Sequence, residues 1–236
     1  MSEPSAAKAL PVYLQIAELL ARQIKAGYWR AGERLPTEAE LAKTLDVAVG
    51  TLRKSLALLA NQGVLERVQG SGTYVKKVDG TGQIYELFRL ELTTGPGLPT
   101  AQILDVTHLK KPAYLPALQG EKLWRVRRLR YLSQVPVALE EIWFASAQHE
   151  QVQTADLGDS MYLFYQQRYG IWIARVEDRL SAAPVPAWTQ APLTWQAQEC
   201  AGFIERFSWT ANNLLAEYSR TWFDPRVCRY SSRLSQ

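Results

Sequence analysis

Cysteine, histidine and methionine are scarce in this 236-residue chain, with two of each. Cys200 and Cys228 lie outside any Cys-rich spacing, so they read as reduced structural thiols and not as a disulfide framework. His108 and His149 are isolated, and no His/Cys/carboxylate spacing suits zinc. No apolar run approaches the ~18 residues of a membrane span. The opening "MSEPSAAKAL" has no apolar stretch of the secretory kind. These absences predict a cytoplasmic chain with no membrane partner, no metal and no cofactor. Apolar residues at 47% and charged residues at 21% are ordinary for a globular protein. The length suits one large domain or two modest ones.

An excess of charge of one sign is also missing from most of the chain. Residues 1–77 hold 11 Lys and Arg against 7 Asp and Glu, whereas the remainder holds 16 of each. The whole net charge of +4 therefore sits in the first third. A basic module joined to a neutral one suggests nucleic acid at one end and a different partner at the other.

The first module reads as three short helices and a hairpin. Tyr13, Ile16, Ala17, Leu20 and Ile24 place one apolar stripe on a helix from about Pro11 to Ala26, and Gly27 follows as a stop. Pro36 ends an extended link, and Thr37 with Glu40 forms a capping box that starts a second helix. That helix turns Leu41, Ala42 and Leu45 inward and ends near Asp46. A third helix spans about Val49 to Asn61, with Leu52, Leu56 and Leu59 buried and Gly63 closing it. Two strand-like runs, "VLERV" and "TYVKK", then flank "QGSG".

A glycine loop that cradles phosphate belongs between a strand and a helix N-terminus. Here Gly70-Ser71-Gly72 lies between two strands, so it turns a hairpin and permits positive φ. Three helices followed by such a ribbon make a winged helix-turn-helix, whose third helix enters the major groove. The face of that helix opposite the leucines carries Gly50, Thr51, Arg53 and Lys54. Thr51 and Arg53 are placed for base edges and Lys54 for a phosphate. Lys43 on the second helix and Gln69, Ser71, Gly72 and Thr73 on the ribbon complete the candidate DNA contacts. Lys76 and Lys77 add charge beside them. A plain surface hairpin with incidental lysines is the competing reading of the ribbon taken alone.

The segments "YLQIAELL", "GERLPTEAELA", "TLRKSLALL" and "GVLERVQGSGTYV" together resemble the DNA-binding domain of the GntR family of bacterial transcription regulators, over nearly all of residues 11–75. The resemblance implies a palindromic operator, and DNA roles for Thr37, Thr51, Arg53 and Gly70. Two departures stand out. Ala39 occupies a position where many members carry arginine, and Val47-Ala48-Val49 replaces a common Val-Ser-Arg. Two frequent base-contacting arginines are thus absent, which shifts the load to Arg53, Lys54 and the ribbon.

"KKVDGTGQ" reads as a polar linker. Beyond it, β-rich runs alternate with turn signals such as "TTGPGLP", "LSQVP" and "WTANN". Helical pieces are expected at about 112–118, 159–168 and 184–191. The predicted class is α+β: a winged helix-turn-helix at 8–77, a linker at 78–83, and an antiparallel-sheet α+β domain at 84–236. The stretches "RLRYLSQVPVALEEIWF", "SMYLFYQQRYGIWIARVEDRLSA", "FIERFSW" and "LLAEYSRTWF" are similar to the UTRA domain, the effector-binding half of HutC-type GntR regulators. That likeness implies a chorismate-lyase-like fold.

The strand "RVRRLRYL" places Arg128 and Arg130 on one face and Arg125 and Arg127 on the other. Two guanidiniums on one face repel unless an anion or a carboxylate joins them. One reading is an anion clamp, with Glu140 on the next strand taking a hydroxyl or amine. The other is a sheet face with cross-strand Arg–Glu pairs. The resemblance favours the clamp and adds Ser160, Glu217 and Phe223, the last standing where tyrosine is common. Ser160 could equally be an N-cap. The segment "DPRVCRY" departs from the family's usual Arg-Gly-Asp-Arg-Tyr.

Taken together, the sequence predicts a homodimeric, metabolite-responsive repressor that binds an operator in double-stranded DNA and a small anionic effector. It predicts no enzyme activity. The alternatives are a lyase-like enzyme domain and a DNA-binding scaffold without a small-molecule effector.

Overall fold

The computed structural model describes residues 11–25, 28–76, 89–95, 97–116, 118–146, 151–188, 195 and 198–232. Two units emerge, one within Leu10–Arg89 and the other within Leu90–Tyr230.

In the first unit, α1 (Val12–Lys25), α2 (Glu38–Thr44) and α3 (Val49–Asn61) precede β1 (Leu65–Val68) and β2 (Gly72–Val75). The apolar stripes close on one core: Ile16 and Leu20 of α1, Leu41 of α2, and Leu52, Leu56 and Leu59 of α3. Leu35, Val64, Leu65 and Val75 complete it from the link and the hairpin. Ser55 is fully buried within this apolar face. Its hydroxyl donates to the carbonyls of Tyr13, 2.7 Å away, and Thr51, so it ties α3 to α1 without an orphaned polar atom. The reciprocal capping box of Thr37 and Glu40 starts α2. Gly63, at φ 75°, turns the chain out of α3.

The second unit is built on a six-stranded antiparallel sheet in the order β4-β5-β6-β9-β8-β7. Its strands are β4 (Pro99–Lys110), β5 (Lys122–Leu132), β6 (Val135–Phe144), β7 (Ile173–Pro184), β8 (Cys200–Thr210) and β9 (Leu215–Phe223). A separate antiparallel pair joins β3 (Leu90–Leu92) to β10 (Cys228–Tyr230). Ser133 and Gln134 both take positive φ, which gives the tight β5–β6 hairpin the twist its strands need.

One face of this sheet receives the helix α4 (Met161–Tyr169). Met161, Phe164 and Tyr165 pack on Trp124, Val126, Ile142 and Phe144. The other face buries Leu129, Leu139 and Trp222 against Val185 and Trp195. Near the opposite strand ends, Leu123, Trp143 and Tyr218 meet Leu115 and Leu118.

Two predicted helices differ from the structure. Residues 112–116 and 118 form turns. Pro112 and Pro116 lack the amide a helix needs, and short bonds from Leu115 to Pro112 and from Leu118 to Pro116 replace a ladder. In the stretch expected to be helical at 184–191, Pro184 ends β7 and residues 187–188 turn; 189–191 lie outside the described residues. Of the expected strand "ELFRLEL", residues 90–92 form β3, and 86–88 lie outside the described residues, as do 77–83.

Leu139 is fully buried between Leu129 and Trp222 on the central strand. Leu139→Ala is expected to lower unfolding stability by about 2–5 kcal/mol. Leu180→Ala, at a half-exposed position, should change it by less than about 0.5 kcal/mol. Urea unfolding of the two variants beside the parent measures the contrast.

Candidate functional site

The first unit presents a charged surface built from α2, α3 and the hairpin. Because Leu52, Leu56 and Leu59 take the inner side of α3, Gly50, Arg53 and Lys54 are exposed and Thr51 is half-exposed on the outer side. A Cβ added at Gly50 would meet nothing within 4 Å, so internal packing does not require glycine there. The Arg53 Nε donates to Glu38 Oε2 at 2.9 Å. Arg67, exposed on β1, donates to the Arg53 carbonyl and lies 3.8 Å from the same Glu38 carboxylate. Glu38 thus joins the N-terminus of α2 to α3 and to the hairpin.

The hairpin tip is held by backbone conformation. Gly70 sits at φ 75° and Gly72 at φ 140°, and a Cβ at Gly72 would come within 2.7 Å of the Arg34 Nε. A cleft of about 490 Å³ opens between the tip and the start of α2, lined by Arg34, Thr37, Glu38, Arg67, Gln69 and Gly70 among others.

Not every candidate hydroxyl is free. The Thr37 hydroxyl donates to Glu40 Oε2 at 2.7 Å and accepts from the Glu40 amide. Those bonds with Thr37 hold the Glu40 carboxyl below the usual range. Ser71 shares a 2.6 Å hydrogen bond with the Tyr74 hydroxyl. Lys43 and Gln69 are exposed, and Thr73 is half-exposed. Arg34, Glu38 and Arg67 escaped the sequence reading. Strand alternation puts Arg67 on the same face as the buried Leu65, so spacing gives no signal for it, and only the fold brings it to Arg53.

In the second unit, Arg128, Arg130, Glu140, Glu217 and Phe223 all lie on strand positions of the face covered by α4, and Ser160 caps that helix. The two arginines are almost fully buried, at 3% and 2% exposure. Burial of that depth demands partners. Arg128 donates through Nε and Nη2 to Glu140 Oε2, at 2.9 and 2.6 Å. The Asp159 carbonyl accepts from Nη1 of both arginines, at 3.3 and 3.0 Å. Asp159 is in turn fixed by the Ala101 amide, which donates to its Oδ1. The sequence left open whether the arginines clamp an external anion or pair across strands. In the structure they are paired, with Glu140 and the Asp159 carbonyl as the partners. Ser160 likewise uses its hydroxyl to accept from the Leu163 amide at the start of α4.

Four residues along β9 from Thr221, the partner of Glu140, Glu217 accepts from the Tyr165 hydroxyl at 2.7 Å and from Ser208 at 3.3 Å. Burial pushes the Glu217 carboxyl up, and the nearby Glu140 adds to this, to about 7. Glu140 is subject to the same burial, but Arg128 and Arg130 outweigh it and hold that carboxyl below its ordinary range. Tyr162 meets Ser208 at 3.0 Å, and Arg206 forms a two-bond pair with Asp178. The tip of the Phe223 ring fills the space that a Cβ at Gly202 would need. Tyr162, Tyr165, Arg206 and Ser208 were missed by sequence. Their signals were present as i, i+3 spacing on α4 and parity on β8, but the relative register of β8 and β9 was not readable.

A DNA-binding head of three helices and a wing, and an antiparallel-sheet domain with a buried ionic cluster, define a two-module regulator. Residues 12–75 match the model for "Bacterial regulatory proteins, gntR family", and residues 99–227 match that of the "UTRA domain". The chain is 44% identical to the HTH-type transcriptional regulator SmoD of Agrobacterium fabrum, covering 96% of this chain and 97% of the relative. It is 29% identical to the mannosyl-D-glycerate transport/metabolism system repressor MngR of Escherichia coli, over 91% and 92%. The crystal structure of the possible transcriptional regulator YydK from Bacillus subtilis shares the fold, with a TM-score of 0.54 at 20% identity over 96% of this chain and all of that one. The chain belongs to the gntR family of bacterial regulatory proteins, in the HutC-type branch that carries a UTRA domain. Among the described residues no helix is long and apolar enough to cross a membrane.

The raised Glu217 carboxyl has a consequence for stability. A buried acid whose folded pKa lies near 7, against 4.5 for the ordinary group, favours the fold when neutral. Its contribution is intact below about pH 4.5 and is lost as pH rises through 7, by on the order of 3 kcal/mol. Glu217→Gln, which stays neutral, is expected to be more stable than the parent at pH 8 and close to it at pH 5. Chemical denaturation at the two pH values reads the difference.

Proposed function

We propose that this chain is a metabolite-responsive transcriptional repressor, acting in the cytoplasm as a homodimer on a palindromic operator. The single observation that carries the reading is the outer face of α3. Gly50, Arg53 and Lys54 are exposed there, and Arg67 links the helix to a glycine-turned wing. In this reading Thr51 and Arg53 reach base edges in the major groove, and Lys43 and Lys54 reach phosphates. Gln69, Gly70, Ser71, Gly72 and Thr73 follow the adjacent groove, and Thr37 contacts the backbone from the start of α2. Two heads address half-sites about one helical turn apart.

The division of labour follows the sequence: a DNA-binding domain at 8–77, a linker at 78–83 and an effector domain at 84–236. The effector is a small anionic metabolite held on the α4 face by Arg128, Arg130, Glu140, Ser160 and Glu217, with Phe223 as an apolar wall. Its charge replaces part of the internal pairing of the two arginines. Glu217, poised near neutrality, offers a hydroxyl or amine partner. Ligand binding favours one arrangement of the two heads by a coupling of about 1–3 kcal/mol. The family and its named relatives are transcription regulators, which supports this assignment over a lyase-like enzyme.

Arg53→Ala is expected to weaken binding to the duplex upstream of the gene by about 10- to 100-fold, the size of one lost base contact. Fluorescence anisotropy with that duplex, with a circular dichroism melt as the folding control, makes the measurement. Unchanged affinity in a folded variant would remove α3 from the groove.

A further inference from the structure

We propose that the sheet face turned away from α4 carries a second small-molecule site, selective for a flat organic carboxylate. The alternation of β5 sends Arg125 and Arg127 to this face, and β9 adds Arg220. All three line a cavity of about 460 Å³, within the range of small-molecule pockets. Among the described residues Glu141 is the one acidic residue in that lining, so three guanidiniums face one carboxylate there.

Glu141 is nearly saturated. Its Oε2 accepts from Arg127 at 2.9 Å, and its Oε1 accepts from Arg220 at 2.5 Å and from the Trp143 indole at 3.0 Å. Burial pushes this carboxyl up, but Arg220 beside it prevails and keeps it below its ordinary range. Arg125 is held from outside the lining by Asp105 at 2.7 Å. Glu205, opposite Arg220 on β8, accepts from Tyr218. After this pairing the Nε of Arg125 and the Nε of Arg220 are buried and have no hydrogen-bond partner. Each guanidinium also carries more N–H donors than these bonds use. Three guanidiniums against Glu141 and Asp105 leave the cavity with net positive charge, the complement of a carboxylate.

The rings decide the shape of the guest. The Arg127 guanidinium lies 4.6 Å over Trp188, and that of Arg220 lies 4.6 Å over Tyr114 and 5.3 Å over Trp222. Trp188 and Trp222 meet edge to face at 5.8 Å. Stacking fixes the planes of the donors, and the indoles supply flat apolar walls between them. A compact polar anion such as inorganic phosphate would leave those walls unused; a carboxylate on a flat apolar body uses both.

The test employs the full chain with phenylacetate and naphthalene-2-carboxylate as probes and 2-naphthylmethanol as the neutral counterpart. Titration followed by indole fluorescence and by calorimetry is expected to show saturable binding of at least one carboxylate, and at least tenfold weaker binding of the alcohol. Trp188→Ala removes a ring in a turn at the cavity rim and leaves the sheet intact; it should weaken carboxylate binding at least tenfold. Arg220→Met should do the same. Glu141→Gln removes the internal competitor and should tighten binding several-fold, which a merely structural ion pair would not do. Glu217→Gln, on the opposite face, should leave binding unchanged. The proposal is overturned by any of three results: no saturable binding of either carboxylate, affinity that survives Trp188→Ala, or loss of binding in Glu217→Gln.

Discussion

The second unit depends on how β5 and β6 are held in register by charge. Arg127 lies opposite Glu141 and Arg128 opposite Glu140, so each adjacent pair on one strand meets an adjacent pair on the next, on opposite faces. Glu141 is almost wholly buried, as is Arg128. A slip of one residue would send every side chain of the strand through to the other face. The consequence here is worse than misplaced leucines, because a buried guanidinium or carboxylate would lose its partner at a cost of several kcal/mol. Hydrophobic pattern and ionic pairing therefore specify the same register. The β-bulge between Arg130 and Tyr131 comes only after those pairs are made.

That constraint has a chemical corollary. A strand that alternates arginine pairs supplies two surfaces from one short sequence. The α4 side is closed: helix, sheet and the Asp159 carbonyl hold Arg128 and Arg130 and leave them almost no exposure. On the far side a cavity remains, and aromatic rings stand where a backbone carbonyl stands on the first. Carboxylates pair guanidiniums on both faces; the faces differ in what completes the shell, a backbone carbonyl on one and π surfaces on the other. Within the α4 face itself two carboxylates diverge. Glu140 lies between two arginines and stays charged, whereas Glu217, with a tyrosine and a serine for partners, is pushed toward neutrality.

What the sequence revealed follows the range of the forces involved. Helix stripes, the Thr37–Glu40 box and the glycine-turned ribbon are local, and they appeared where periodicity placed them. The strands β5 and β6 were readable to the residue, since alternation and the Ser133–Gln134 turn are also local. The turns at 112–116 and 118 were misread because apolar content around two prolines mimics a helical stripe. Long-range partners were the real loss. Glu38 is fifteen residues from Arg53, and Tyr165 is fifty-two from Glu217. Neither pairing leaves a trace in spacing. The order β4-β5-β6-β9-β8-β7 brings β9 beside β6 across the whole of α4 and two strands, which no window of sequence can express.

The ion pairs of the two units differ in what they permit. The Arg53 side chain is 63% exposed and that of Glu38 31%, so solvent screens their attraction to about 0–1 kcal/mol. A polyanion approaching α3 needs little to exchange Glu38 for phosphate or a base edge, and Arg67 remains at hand to hold the released carboxylate. The Arg128–Glu140 pair has no such freedom. It is shielded from water, and removing one partner without supplying another would strand a charge in the interior. An exposed, exchangeable pair suits a surface that must scan and release many sequences. A sheltered pair, under the reading proposed above, would yield only to a ligand bringing its own compensating charge.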